Sequence, residues 1–426
     1  MNGHPLDAIV EAQHRGEPRG ITSVCSANPT VLEATVRHGA VDDGPVLIEA
    51  TCNQVNQYGG YTGMTAADFR RFVEMLALDA NLPLDRLILG GDHLGPNPWK
   101  TESAEIAMAK ADVLVRSFVA AGYTKIHIDA SMWLGDDDRT LPLDPGTIAS
   151  RAAALVVAAE DELERSGSTT APRYVIGTEV PVPGGAEAGE EELSVTTVDA
   201  VAETIELHRV AFAAAGLDDA WRRVVGVVTQ PGVEFADREI HEYDPAQAVH
   251  LARFAESLDG LVFEAHSTDY QTPEALRNLV RDHFAILKVG PGLTFAYREG
   301  VFALSHIEDE MFGNAASGIC DVIESVMLDQ PETWAPYYSG TDQELAFARK
   351  YSFSDRVRYV LPDARIVSAL EQMIGNLSTL EIPWPLLSQY VPEQYRRIRA
   401  GALVPDPEEI LLDKVRTVLD DYASAT

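Results

Sequence analysis

Short β-branched apolar runs alternate with longer amphipathic stretches through the first three quarters of the chain. The runs are Ile21–Val24, Val46–Ile48, Leu87–Leu89, Ile126–Ile128, Tyr174–Ile176, Val224–Val228, Leu261–Phe263 and Ala285–Val289. Runs this short, bounded by polar and glycine residues, read as buried strands. Helical patterns lie between them. In Ala66–Leu78, Phe69, Phe72, Leu76 and Leu78 recur near a 3.6-residue period, and Thr65 stands where an N-cap belongs. Glu105–Ala120 and Thr147–Ala159 follow the same pattern. Eight strands alternating with helices predict an α/β fold, a (β/α)8 barrel of TIM type with long loops. A doubly wound open sheet is the rival. From about Pro331 the pattern changes to aromatic, arginine and proline residues mixed with helical stretches such as Ile366–Leu377 and Pro407–Tyr422. The expected organisation is a barrel over residues 1–330 and a helical C-terminal extension over 331–426 packed on it.

Composition narrows the class. Hydrophobic residues make up 46% of 426, enough for a large core. No apolar run reaches the ~18 to 20 residues of a membrane span. Residues 1–16 contain no signal-like apolar stretch, so the expectation is a cytoplasmic protein with no membrane association. Cys25, Cys52 and Cys320 are far apart and form no CxxC pair, which disfavours both a disulfide framework and a zinc–thiolate site. The formal net charge is −33, a surface that repels nucleic acid. An anionic ligand would then need a local cationic or amide site. Only Lys100, Lys110, Lys125, Lys288, Lys350 and Lys414 are lysines, so their positions matter.

In a parallel barrel, chemistry gathers where strands end and the following loops begin. Reading those ends in order gives Ser26 and Asn28, Asn53 and Gln54, Asp92 and His93, His127 and Asp129, Glu179, Gln230, Glu264 and His266, then Lys288 and Gly290. Nearly every run stops at a residue able to bind, protonate or coordinate. Each has a plainer reading as well. Asp92–His93, in GGDHLGPN, either caps a loop or supplies an acid/base and a metal ligand. His127 and Asp129 share a strand face in KIHIDAS, as a structural pair or as substrate contacts. Glu179, in YVIGTEVPVPGG, is a general acid whose pKa burial would raise, or a carboxylate bridging a loop. His266, in FEAHSTDY, is the best second metal ligand, and Gln230 offers a weaker amide oxygen. Lys288, in FAILKVGPG, must meet an anion if buried, either a phosphate or a structural carboxylate. Backbone N–H groups of Gly290, Gly292 and the Ser267–Thr268 turn are expected to share the phosphate. Substrate contacts are expected from Asn28, Asn53, Gln54, His127 and Asp129. No GxGxxG with suitable flanks, GK dipeptide or GxSxG elbow is present, which disfavours a nicotinamide dehydrogenase and a P-loop kinase.

The same segments resemble the Z-subunit family of class II D-tagatose-1,6-bisphosphate aldolase, the GatZ/KbaZ type. The matching stretches include SVCSANPTVLEA, LIEATCNQVNQYGGYTGMT, LILGGDHLGPNPW, GYTKIHIDASM, YVIGTEVPVPGG, QPGVEF, EAHSTDYQT and RDHFAILKVGPGLTFAYRE. In the extension they include YSFSDRVRY, IPWPLLSQYVPEQ and RIRAG. The resemblance implies Asp92 as acid/base and His93 and His266 as ligands of a divalent metal, zinc or manganese. Gln230 stands where class II aldolases carry a further histidine ligand. Related epimerases imply Glu179 as the second acid/base. Two activities follow from the resemblance. One is metal-dependent 4-epimerisation of D-tagatose 6-phosphate to D-fructose 6-phosphate by retro-aldol and aldol steps. The other is a non-catalytic role stabilising a class II aldolase subunit. A sugar-phosphate binding or regulatory protein is a third class. The implied partners are a sugar phosphate, further copies of the chain and an aldolase subunit.

Overall fold

Eight parallel strands carry the fold: β1 (Ile21–Cys25), β2 (Val46–Thr51), β3 (Leu87–Leu94), β4 (Lys125–Ile128), β5 (Arg173–Ile176), β6 (Val224–Thr229), β7 (Val262–Ala265) and β8 (Phe284–Val289). The structure, a computed structural model, describes residues 3–177 and 194–426. The strands follow one another round a closed barrel, and β1 pairs with both β2 and β8, which rules out the open sheet. Nearly all strand residues are buried, because helices cover the outer face and side chains fill the inner one.

Local rules explain the helices between strands. Thr65 and Asp68 form a reciprocal capping box that starts the helix Ala66–Asp79. Its buried stripe is Ala66, Phe69, Val73 and Ala77, so the core face is rotated from the one expected. Leu78 is 60% exposed, and Phe72 and Leu76 lie on the border.

Two features decide where a site can be. The helix Pro5–His14, absent from the expected elements, buries Leu6, Ile9 and Val10 in one cluster with Ile21, Leu47, Ile88, Val175, Val225, Val262 and Ile286. That cluster fills the end of the barrel where the strands begin, leaving the opposite mouth for chemistry. The extension reaches that mouth. Its last helix, Pro407–Ala423, packs on Pro29–Gly39 and Pro291–Phe312, and the Tyr422 hydroxyl donates to the Thr268 carbonyl at 2.7 Å. A turn over residues 352–359 is pinned by Asp355, whose carboxylate accepts from Thr294 Oγ1 at 2.6 Å and Arg298 Nε at 2.9 Å. The Tyr270 hydroxyl donates to the Phe353 carbonyl at 2.5 Å. Among the described residues no helix is long and apolar enough to cross a membrane.

Candidate functional site

The mouth is built around an irregularity in β3. Its register with β4 shifts between Gly91 and Leu94, and His93 sits at φ +47°. Consecutive strand residues normally face opposite ways; here Asp92 and His93 both line one cavity. A non-glycine residue in the left-handed region costs of order 1–3 kcal/mol and marks sites where geometry matters more than relaxation.

His93, from β3, His127, from β4, and His266, just past β7, come together with ring centroids 4.9 to 5.2 Å apart. With Asp92 they offer ligand atoms that all lie within 4.8 Å of one another. Each imidazole commits one nitrogen to a carboxylate. His93 Nδ1 meets Asp129 Oδ2 at 3.0 Å, His127 Nδ1 meets Asp92 Oδ1 at 2.9 Å, and His266 Nε2 meets Glu264 Oε1 at 2.9 Å. Ligating histidines are usually oriented by such a carboxylate on the far ring nitrogen. His127 Nε2 is buried and has no hydrogen-bond partner among the described residues, a cost that a metal ion would remove. Burial brings the His266 pKa down to about 3, leaving a neutral ring suited to ligation. Burial also disfavours charge on His93, but Asp92 and Asp129 outweigh it and raise its pKa.

Beneath the histidines lies a buried ionic lattice. Lys125 Nζ stands 2.6 Å from both Glu49 and Glu264, and Lys288 Nζ stands 2.5 Å from Glu49 and 2.6 Å from Asp92. Gly90 makes room for Glu49: a Cβ there would lie 2.6 Å from Glu49 Cγ. Counting Asp129 through His93, four carboxylates face two lysines. With neutral histidines, two negative charges remain, the charge a divalent cation neutralises. Donor set, orphaned nitrogen and charge all fit such an ion.

Among the residues expected at the site, Asn53, Gln54, Asp92, His93, His266, Ser267, Lys288 and Gly290 line the cavity. His127 is off the cavity wall and belongs to the metal donors, and Asp129 binds His93 and Ser131. Lys288 is neutralised by Glu49 and Asp92, the structural ion pair rather than a free phosphate anchor. The Gly290 and Gly292 amides both donate to Asp269 Oδ1, at 2.9 and 2.7 Å, so a carboxylate fills the nest expected to take phosphate. Burial lifts the Asp269 pKa to about 6. Thr268 is fully buried, its hydroxyl donating to the Lys288 carbonyl at 2.5 Å, and it does not reach the cavity. Asn28 caps the helix Pro29–Gly39 and faces an adjoining apolar cavity. Gln230, expected as a ligand, spends its amide oxygen on the Gly232 and Val233 N–H groups at 2.9 and 3.0 Å, a tight loop that turns it from the cavity. The third ring beside His93 and His266 is His127. Glu179 lies outside the described residues. Sequence reasoning missed Glu49 and Lys125 inside strands, and Cys25, Tyr61, Arg358 and Tyr359 on the cavity wall. The Cys25 thiol donates to Asp92 Oδ2 at 3.1 Å.

Comparison with known proteins agrees with this architecture. Residues 6–426 match the family model described as D-tagatose-1,6-bisphosphate aldolase subunit GatZ/KbaZ-like. A crystal structure of a probable tagatose 6 phosphate kinase from Sinorhizobium meliloti 1021 is 45% identical, with a TM-score of 0.88 over 96% of this chain and 100% of that one. Fructuronate-tagaturonate epimerase UxaE from Cohnella laeviribosi matches at 12% identity and a TM-score of 0.47, covering 95% of this chain and 81% of that one. Fructose-bisphosphate aldolase from Campylobacter jejuni matches at 13% and 0.44, covering 88% and 92%. The last two are too distant to bear on function.

Proposed function

The chain belongs to the D-tagatose-1,6-bisphosphate aldolase subunit GatZ/KbaZ-like family, and on that premise we propose that it is a metal-dependent 4-epimerase interconverting D-tagatose 6-phosphate and D-fructose 6-phosphate. The observation that carries this reading is the convergence of Asp92, His93, His127 and His266 at the open mouth of a closed barrel. The name of the Sinorhizobium relative refers to tagatose 6 phosphate and supports the same substrate class.

C4 of a 2-ketose is β to the carbonyl, so its hydrogen is not acidic and proton abstraction there does not invert it. Cleavage and re-addition does. The C4 hydroxyl loses its proton, the C3–C4 bond breaks, and its electron pair passes to C3 in conjugation with C2. A three-carbon aldehyde carrying the phosphate is left. When the aldehyde turns and C3–C4 re-forms on its other face, the proton returns to oxygen and the C4 epimer results, with no net oxidation. His93, His127 and His266 would hold zinc or manganese through the nitrogens not engaged with carboxylates. Bound there, the cation supplies Lewis-acid polarisation of the C2 carbonyl. Burial disfavours charge on Asp92, but Lys288 and His93 outweigh it and hold its pKa well below the usual range, which keeps the carboxylate ionised. From its place at the mouth beside the metal donors, Asp92 is assigned to accept the C4 hydroxyl proton and return it. Glu179 is assigned as the second acid/base, and Asn53 and Gln54 as contacts to substrate hydroxyls.

The test is formation of D-fructose 6-phosphate from D-tagatose 6-phosphate by the purified chain alone, before and after chelation. Turnover lost on chelation and restored by metal is expected. The family description as an aldolase subunit favours a second reading, a stabilising partner of a separate aldolase. No turnover alone, with activation of a class II aldolase on mixing, would replace the epimerase by that reading.

A further inference from the structure

We propose that Arg358, from the C-terminal extension, is the receptor for the substrate's terminal phosphate. The inference rests on the sugar-phosphate reading above and deepens it. Most of the barrel groups expected to hold that anion are already engaged: Lys288 by Glu49 and Asp92, the Gly290 and Gly292 amides by Asp269, and the Thr268 hydroxyl by the Lys288 carbonyl and Tyr422, which leaves the Ser267 turn with no cationic side chain of its own. Adding a phosphate there would bring its charge against Asp92 and Asp269.

Among the described residues lining the cavity, Arg358 and Lys288 are the two with permanent positive charge. Arg358 differs from Lys288 in having no carboxylate within ion-pair distance among the described residues. Among the described residues its guanidinium donates to neutral acceptors, the Ser354 carbonyl, the Asp355 carbonyl at 2.9 Å and the Tyr359 hydroxyl at 3.0 Å. These use part of a five-donor fork. Of the neighbouring arginines, Arg298 is paired with Asp355 and Arg349 with Glu324, while Arg356, which donates to the Thr333 carbonyl, does not line the cavity. In a chain of net charge −33, a half-buried guanidinium left to neutral partners at a cavity wall is a ready anion site. A planar fork also suits the paired oxygens of a phosphate.

The turn that carries Arg358 is rigidly seated. Asp355, at φ +46°, binds Thr294 and Arg298, and Tyr270 holds the Phe353 carbonyl. The Tyr359 ring centre lies 4.4 Å from the guanidinium carbon, and Tyr61 meets that ring edge-on at 5.2 Å. The extension therefore completes the barrel site by supplying the anion-binding wall.

The experiment measures binding by calorimetry, independently of turnover, to the full chain and to Arg358→Met and Arg358→Lys, each checked for an unchanged melting temperature. The probes are D-tagatose 6-phosphate, D-tagatose and D-tagaturonate. Wild type should bind the phosphate ester at least tenfold more tightly than either other probe. Arg358→Met should lose that preference at least tenfold with affinity for D-tagatose unchanged, and Arg358→Lys should fall between. Undiminished phosphate preference in Arg358→Met overturns the inference, as does an Arg358-dependent preference for the uronate. Should Arg358→Met not fold, Arg358→Lys with wild-type preference overturns it. Loss of phosphate preference in a chain that proves inactive would sink the epimerase reading and leave this one standing.

Discussion

Lys288 Nζ lies 2.6 Å from Asp92 Oδ1, so the lysine's charge is committed to clamping the proposed base. Burial would discharge Lys288, yet Asp92 and Glu49 outweigh it and raise its pKa well above the usual range. Removing one partner of a buried ionic pair leaves the other charge uncompensated. Lys288→Met should therefore cost about 3–5 kcal/mol in urea unfolding. A near-neutral result would mean the lattice tolerates the loss and is not the scaffold described above.

Asp92 also receives His127 and the Cys25 thiol, so its carboxylate is held on three sides. Asp92→Asn keeps the shape and removes the basicity. The expected loss in kcat for D-fructose 6-phosphate formation is about 10²–10⁴-fold, the usual worth of a positioned base. Circular dichroism should show a folded chain. Turnover at the wild-type rate would remove Asp92 from the mechanism.

What could be read from the chain follows from which forces are local. Strands buried on both faces leave compact β-branched runs; seven of the eight expected runs fall within barrel strands, and Leu261–Phe263 starts one residue before its strand. Strand ends flag Asp92, His93, His127 and His266 because a barrel places such ends at one mouth. Glu49 and Lys125 border the apolar runs Val46–Ile48 and Ile126–Ile128 without standing at a strand's C-terminal end, and only barrel closure brings residues 49, 125, 264 and 288 together. Gln230 shows the converse: a polar residue at a strand end met a local turn that consumed its oxygen. Leu6, Ile9 and Val10 do carry a helical spacing, but ten residues of it are too few to stand out. Arg358 lies far from the strands, and its place at the mouth depends on how the extension docks.

Asp129 should tune metal affinity without touching substrate. It accepts from His93 at 3.0 Å and from Ser131 at 3.0 and 2.6 Å, fixing which way the ring faces. Asp129→Asn should weaken metal binding about 10–100-fold. The measurement is the melting temperature of chelated protein against added zinc or manganese, because a ligand of the folded state stabilises it by RT ln(1 + [L]/Kd). His127→Ala should shift the curve at least as far. Superimposable curves for wild type and both variants would place the metal elsewhere.

His4 supplies a pH dependence at the opposite end of the barrel. Its Nδ1 accepts from the Leu6 amide at 3.2 Å, capping the helix that closes the barrel, so the ring must be neutral there. Burial, aided by Arg173, lowers its pKa from 6.5 to about 4. The sign follows directly. Below pH 6.5 the unfolded chain takes up a proton that the folded chain refuses, so stability falls as pH drops from 6.5 to 4 and then levels for this group. The full effect is about 3 kcal/mol, at one pKa unit per about 1.4 kcal/mol. His4→Asn keeps a capping oxygen and has no proton to gain, so its unfolding free energy should lose less than wild type does over that window. Parallel pH profiles for the two proteins would show that His4 titrates alike folded and unfolded, and that the acid sensitivity of the fold arises at other groups.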